Sequence, residues 1–267
     1  IAMRVVCSIG GKPDMVVLSV MLVNLALAPL SPSTTAKALL LLPICQGLIE
    51  AFGAKKGQSR YGASVMLMAV ASNNICATGF LTATVPNPIS VSHIKQATGV
   101  DVYWVDWLRM SFPLTLILLI CSWLLCRWMS RPEVSEDDEA SRCITDMRGR
   151  LGALSQSEML VAIIFSVSLV LWMTERFHRL NAGLISLVLS LVLLLPKIGV
   201  LKLQGFTKEA PWGSVGLFAA SMFLARAVGR WEVLDPIALR IFNSLRLARL
   251  PLVPFLLLTV LLFMLLH

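Results

Sequence analysis

Long apolar segments separated by short polar ones make up most of the chain. A helix needs about 20 apolar residues to cross the hydrocarbon core of a bilayer, and several segments approach that length. The pattern therefore predicts a series of membrane helices, some of them shorter than a full crossing. The apolar segments are 15–30, 36–52, 61–81, 107–129, 159–172, 184–195 and 251–266.

Composition supports this prediction and narrows the function. The 267 residues are 57% hydrophobic and 14% charged, which excludes an ordinary soluble domain. The net charge of +8 comes from Lys and Arg dispersed through the polar connections. Such residues are typical membrane anchors, so we predict no nucleic-acid partner. The six cysteines lack the paired spacing of a zinc site or a disulfide framework.

The chain is predicted to form two membrane-embedded halves joined by a hydrophilic linker, 131–158. In the first half, 1–130, the sequence predicts the end of an earlier hairpin, a broken helix at 13–52, a span at 61–90, an interfacial helix carrying Tyr103, Trp104 and Trp107, and a span at 107–129. In the second half, 159–267, it predicts two spans, a re-entrant hairpin at 210–235 and the first half of a second broken helix. The hairpin is expected because 210–235 is too short for two crossings.

A weak internal repeat supports this organisation. The segment "IAMRVVCSI" at 1–9 matches "IALRIFNSL" at 237–245, and both are followed by a proline and a long apolar helix. Many secondary transporters are built from such duplicated units, usually as inverted repeats. The first copy of the repeat begins partway through a predicted helix, and the second copy stops before it reaches a counterpart of Ser33. We therefore expect both ends of the repeat architecture to be truncated.

The segment "SPSTTAK" at 31–37 interrupts an apolar stretch with groups that are costly in a bilayer. A break there exposes helix amides that favour an anion, while carbonyls and the hydroxyls of Ser33, Thr34 and Thr35 can hold a cation such as sodium. The alternative is a simple kink with the hydroxyls bonded to the preceding turn. Lys37 favours a binding site, since an intramembrane ammonium normally faces a cavity or ligand; its alternative is snorkelling.

A second polar stretch, "ASNNICATGFLTATVPNPISV" at 71–91, contains Gly79 and two prolines that bracket Asn87. Its amides, hydroxyls and unwound carbonyls form a plausible second wall of the same cavity. The alternative is a polar helix end at the membrane interface. That alternative accounts for Asn87 but poorly for the polar residues 72–74.

These motifs resemble the divalent anion/sodium symporter family, the dicarboxylate and sulfate transporters. The segment "SPSTTAKALLLLPI" resembles the serine-asparagine-threonine signature in the form of the 2-oxoglutarate/malate and citrate/succinate translocator branch. The segment "SNNICATGFLTATVPNPISVSHIKQATGVDVYWVDW" resembles the following helix of that branch, and "PWGSVGLFAASMFLARAVGRWEVLD" resembles the outer hairpin. The likeness covers nearly the whole chain.

The resemblance implies an all-α polytopic elevator transporter with inverted repeats, re-entrant hairpin and broken helices, usually a homodimer. Thr34 stands where the signature has asparagine and Ala83 where the second loop has glycine, so sodium coordination departs from the family pattern. The residues implied for substrate binding are Ser33, Thr34, Thr35, Lys37, Thr84, Val85 and Asn87. Those implied for sodium are Ser33, Thr34 and Ala83.

The function that follows is secondary transport of small divalent anions, namely C4 or C5 dicarboxylates or citrate. Coupling is expected to be either sodium symport or dicarboxylate exchange, and Thr34 with Lys37 favours exchange. The expected partners are the anion, membrane lipid and a second copy of the chain. The expected location is a plasma membrane or a plastid envelope.

Other functions remain as alternatives. An arsenite or sodium/proton antiporter would favour a buried carboxylate, for which Glu50 is the candidate in the first half. An intramembrane enzyme would need paired carboxylates or clustered histidines at depth, whereas His93, His178 and His267 are scattered. A purely structural subunit leaves the polar breaks unexplained, so we predict a transporter and no catalytic residues.

Overall fold

The structure is a computed structural model of the chain, and it divides into two compact units, Ile1–Leu201 and Lys202–His267. Helices account for nearly all of the regular structure in the described residues, and no strand occurs among them, which confirms the all-α prediction. The residues described are 13–54, 58–129, 155–195, 199–201, 205, 207–208, 210, 212–230, 236, 239–240, 243–244 and 250–266.

The predicted apolar segments each coincide with a helix. By length and composition, Pro13–Leu30, Thr34–Ala51, Trp104–Trp128 and Gln156–Met173 are each able to cross a membrane. Short 3-10 turns, Ala28–Leu30 and Leu81–Ala83, follow α1 and α3. The helices are α1 (Pro13–Leu27), α2 (Thr34–Ala51), α3 (Arg60–Gly79), α4 (Pro86–Thr98), α5 (Trp104–Met129), α6 (Gln156–Met173), α7 (Glu175–His178), α8 (Ala182–Leu194), α9 (Trp212–Arg230) and α10 (Leu252–Leu266).

Local sequence signals explain where several helices begin. Ser59 caps α3 by accepting a hydrogen bond from the Gly62 amide, and Asn181 caps α8 in the same way. Ser155 and Glu158 form a reciprocal capping box at the start of α6. Each cap satisfies amides that have no carbonyl partner within the helix, which is the main requirement of a helix N-terminus.

α1 runs parallel to α3. Near one end of the pair, Asp14 and Tyr61 line the same small pocket. Farther along, the Asn24 side chain donates a 2.7 Å hydrogen bond to Ser72 Oγ. The residue numbers rise together along the two helices, so their chain directions agree.

α2 runs antiparallel to α3. At its start the Thr34 carbonyl accepts a hydrogen bond from Asn73, and just past its end the Phe52 ring packs 5.1 Å from the ring of Tyr61. α1 and α2 are therefore antiparallel to each other and form a helical hairpin whose tip is residues 28–33. The sequence predicted two half-helices of one broken helix over 13–52; the break is present, but the chain reverses direction there.

α3 lies at the centre of the first unit, with α1, α2 and α5 packed around it. Val20 of α1, Leu41 of α2, Met68 of α3 and Leu119 of α5 are all essentially buried in the core that these helices share. Membrane helices associate through close packing and hydrogen bonds because lipid is as apolar as their side chains. The central helix is thus held by contacts on three sides, and it carries Ser72 and Asn73 of the second polar stretch.

α5 continues the first unit toward α6 and α8. The Trp104 and Trp172 rings stack with centroids 6.4 Å apart, and the Trp172 indole donates to the Ala182 carbonyl. The predicted interfacial helix is replaced by two features: α4, which is largely exposed, and the first turn of α5, which contains Trp104 and Trp107.

The second unit contains α9 and α10. α9 is one uninterrupted helix over Trp212–Arg230, so no turn of the hairpin predicted at 210–235 lies within those residues. Residues 231–235, the linker residues 131–154, the first copy of the repeat at 1–9 and most of the second copy lie outside the described residues.

Candidate functional site

Two interruptions of the helices lie side by side in the first unit. One is the hairpin tip, 28–33, and the other is the loop 80–85 between α3 and α4. The 3-10 turns within them pack against each other, and Thr82 Oγ1 donates a 3.4 Å hydrogen bond to the Pro29 carbonyl. The two polar motifs picked out in the sequence are therefore brought into one place.

Proline and serine shape the hairpin tip. Ser31 is extended, with φ −131° and ψ 117°, as expected for a residue that precedes a proline. Ser33 is also extended and is the N-cap of α2: its hydroxyl accepts a 3.1 Å hydrogen bond from the Ala36 amide. The hydroxyl of Ser33 therefore starts a new helix and does not bond to the preceding turn, which excludes the simple kink.

The signature residues occupy different environments at the start of α2. Ser33 and Thr34 are half-buried, whereas the Thr35 side chain is exposed. The first amides of an α-helix have no carbonyl partner within it, so those of Thr34 and Thr35 are open to a ligand in front of the tip. This end of the helix also carries the positive end of its dipole, which favours an anion.

Lys37 lies one turn into α2 and is only 1% exposed. Its ammonium has no hydrogen-bond partner among the described residues. The snorkelling alternative is thus wrong for this part of the chain, because the side chain is buried against α3 and does not extend to the surface.

Two asparagines fasten the hairpin to α3. Asn73 Nδ2 donates a 2.8 Å hydrogen bond to the Thr34 carbonyl, while Asn24 Nδ2 of α1 donates to Ser72 Oγ and to the Ala69 carbonyl. Asn24 was missed in the sequence analysis, although a single amide in an apolar segment was a usable signal. Asn73 was noticed only as part of a polar stretch.

Asn87 organises the second interruption. Its Nδ2 donates to the Ala77 carbonyl at 2.8 Å and the Phe80 carbonyl at 2.9 Å, so it satisfies carbonyls that the end of α3 leaves free. Both hydrogens of its amide group are therefore used in hydrogen bonds to backbone carbonyls. Any contact of Asn87 with a ligand would therefore use its oxygen or depend on the loop it shapes.

The other predicted residues of this loop vary in burial. Ala83 is fully buried, Thr84 is half-buried and extended, and Val85 is exposed. Sodium prefers oxygen ligands, as other hard cations do, and Ser33, Thr34 and Ala83 place hydroxyl and carbonyl oxygens on two adjacent loops. The described residues contain no group of three His, Cys, Asp or Glu side chains that could hold a metal, so a cation here would depend on neutral oxygens.

Comparison with known proteins gives consistent matches. A family model described as the sodium:sulfate symporter transmembrane region matches residues 1–267. A putative malate transporter, YflS, of Bacillus subtilis is 30% identical over 212 residues, which are 78% of this chain and 44% of that protein.

Two further relatives transport related anions according to their names. A citrate/succinate antiporter of Escherichia coli K12 is 24% identical over 224 residues, 81% of this chain and 45% of the relative. A sodium-dependent dicarboxylate transporter, SdcS, of Staphylococcus saprophyticus is 23% identical over 250 residues, 85% of this chain and 48% of the relative. The chain spans less than half the length of each of these three relatives.

Proposed function

Because the chain belongs to the sodium:sulfate symporter family, a family of membrane transporters, we propose that it moves small divalent anions across a plasma membrane. The substrates proposed are C4 or C5 dicarboxylates or citrate, which the names of the malate, citrate/succinate and dicarboxylate relatives support. The proposed substrate contacts come from Ser33, Thr34, Thr35, Lys37, Thr84, Val85 and Asn87.

One observation carries the proposal: a buried ammonium without a partner among the described residues lies one turn behind a helix N-terminus. An unpaired charge in a membrane interior is costly. A carboxylate in front of the tip would accept hydrogen bonds from the open amides of α2. It would also be stabilised by the positive end of the helix dipole, which is equivalent to about half an elementary charge. It would also offset the charge of Lys37.

Exchange is the mode of coupling that we favour. When the anion leaves, a charged Lys37 has no counter-charge, and carrying an unpaired charge through the bilayer is expensive. Loading a second anion before the return step avoids this cost. Thr34, whose hydroxyl has one donor where the family signature has a carboxamide, also provides a poorer combined site for anion and sodium.

Sodium symport is the second candidate, and the family description and the SdcS relative favour it. Its proposed ligands are Ser33, Thr34 and Ala83. A sodium/proton or arsenite antiporter would favour a buried carboxylate and has less support. Its candidate, Glu50, is exposed and lies at the end of α2 that is distant from the hairpin tip. An intramembrane metalloenzyme has no support either, because the described residues contain no group of three His, Cys, Asp or Glu side chains that could hold a metal.

Uptake into proteoliposomes tests the proposal. The full-length protein would be reconstituted and supplied with labelled succinate, malate, citrate or sulfate, with and without a sodium gradient and with and without internal unlabelled anion. Exchange predicts uptake that requires internal anion and does not depend on the sodium gradient. Uptake driven by sodium into empty vesicles would instead establish symport, and no uptake of any of these anions would refute the proposed function.

A second copy of the chain and membrane lipid are the proposed partners. α5 and α6 expose large apolar side chains along their length, including Ile117, Leu124, Ile163 and Val170. Surfaces of this kind are stable against lipid tails or against another apolar helix.

A further inference from the structure

Asn73 has a free acceptor in a buried position. Its side chain is 5% exposed, and one amide hydrogen is used on the Thr34 carbonyl at 2.8 Å. The carboxamide oxygen has no hydrogen-bond partner among the described residues. A buried polar atom without a partner costs about 1–3 kcal/mol, so a hydrogen bond from a nearby donor to this oxygen would be favourable.

Lys37 offers the complementary group. It follows Thr34 by three residues, which puts both on the same side of α2 about one turn apart. Because α2 is antiparallel to α3, the step from Thr34 to Lys37 runs along α3 from Asn73 toward the start of that helix, and the Lys37 side chain is buried in this part of the molecule. The unpaired ammonium and the unpaired carboxamide oxygen thus lie on the same interface.

We propose that Asn73 is a positioning residue with two tasks at the anion site. Its amide group holds the Thr34 carbonyl and so fixes the tip of the hairpin, and its oxygen accepts a hydrogen bond from the Lys37 ammonium when no anion is bound. Binding of the anion draws the ammonium away from Asn73. This inference rests on the proposed function, since it assigns the ligand of Lys37 in the empty and the loaded site.

The competing explanation is that Asn73 only fastens two helices together. Asn24 provides a matched control for that role. It is also a buried asparagine, its amide group also joins the hairpin to α3, and its oxygen also lacks a partner among the described residues. However, Asn24 bonds to Ala69 and Ser72 of α3, whereas Asn73 bonds to Thr34 at the start of α2.

The test compares Asn73→Ala, Asn73→Asp and Asn24→Ala in the full-length protein, using KM and the maximal rate of succinate or malate transport per folded molecule. We expect Asn73→Ala to raise KM roughly tenfold, which corresponds to the loss of one or two hydrogen bonds. Asn24→Ala should lower the apparent Tm but leave KM within about twofold. Asn73→Asp should raise KM further than Asn73→Ala, because a carboxylate would pair with Lys37 and compete with the anion.

Two results would overturn the inference. An unchanged KM in Asn73→Ala, or equal changes in KM for Asn73→Ala and Asn24→Ala, would leave Asn73 a structural residue. Equal KM values for Asn73→Asp and Asn73→Ala would show that residue 73 does not contact Lys37.

A measurement that does not require transport separates this inference from the proposed function. Hydrogen–deuterium exchange of the purified proteins should be faster at residues 33–37 in Asn73→Ala than in the parent, and Asn24→Ala should not share this change. If exchange at the tip responds in this way but no anion is transported, the proposed function fails while the anchoring role of Asn73 stands. Unchanged exchange at the tip would overturn the anchoring role.

Discussion

Neighbouring residues at the hairpin tip differ sharply in environment. Ser33 is a half-buried cap, Thr35 is exposed, and Lys37 is buried against α3. The helical period of 3.6 residues turns successive side chains to different faces, so a short polar motif can provide a cap, a ligand contact and a buried charge together. A cluster of hydroxyls in the sequence therefore does not imply that all of them share one role.

At this scale we predict that Thr35→Ala abolishes anion uptake and leaves the protein folded. The Thr35 hydroxyl is exposed in front of the tip, and alanine is a better helix former than threonine. The measurement is uptake in proteoliposomes together with apparent Tm and size-exclusion profile. Ser166→Ala, which removes an exposed hydroxyl from the middle of α6, is the control and should transport normally. Near-normal uptake by Thr35→Ala would reject the site assignment.

At the scale of elements, α3 determines where the two interruptions meet. It packs against both arms of the hairpin and ends at Gly79, immediately before the second loop. A Cβ on Gly79 would lie 2.9 Å from Thr115 Oγ1 and 3.0 Å from its Cγ2. Thr115 is buried on α5, so glycine is what allows α5 to approach the end of α3.

Gly79→Ala should therefore destabilise the protein by about 1–3 kcal/mol, because a well-packed helix contact would have to open. Thermal unfolding in detergent would measure the change. The double variant Gly79→Ala/Thr115→Ala should lose less than the sum of the two single changes.

A second glycine provides the control for this prediction. Gly213→Ala should be close to neutral, since a Cβ there meets nothing within 4 Å. Additive effects in the Gly79/Thr115 double variant would contradict the proposed contact.

At the scale of the whole molecule, a half-buried carboxylate links α5 to the connection between α6 and α8. Glu175 Oε2 accepts a 3.2 Å hydrogen bond from the Trp104 amide, and the Arg176 guanidinium lies 5.8 Å from the centre of the Tyr103 ring. Burial raises the pKa of Glu175 above its ordinary value, although hydrogen bonds from the Trp104 and Ala182 amides and the nearby His178 oppose the change. Glu175 follows the span Gln156–Met173 and lies outside it.

The raised pKa sets the sign of a pH effect. A carboxyl whose folded pKa is raised contributes stability that is present at acid pH and is lost as pH rises through the folded pKa. Glu175→Gln, which keeps an acceptor oxygen without the charge, should raise the apparent Tm at neutral pH. The difference from the parent should shrink as the pH falls toward 4.5, the ordinary pKa of the group.

Thermal unfolding between pH 4.5 and pH 8 would check this prediction for Glu175. Glu50→Gln, at an exposed position, is the control for removing a negative charge and should change Tm little. A lower Tm for Glu175→Gln at neutral pH would show that the ionised carboxylate stabilises the connection.

The sequence by itself determined most of the helical segments and the positions of both interruptions. These features depend on local properties: apolar length, the missing amide of proline, and the capping power of serine and asparagine. The family resemblance came from the same local motifs, and the match over residues 1–267 confirms it.

Only the tertiary structure decided the direction of the chain after the break and the neighbours of the polar side chains. An interrupted helix and a hairpin have the same local pattern, and the choice between them depends on packing against a third helix. The contacts between Asn73 and Thr34 and between Thr82 and Pro29 join residues 39 and 53 positions apart. No local preference encodes such pairs, because they form only when several helices exclude lipid from the same place and each buried polar group must find a partner there.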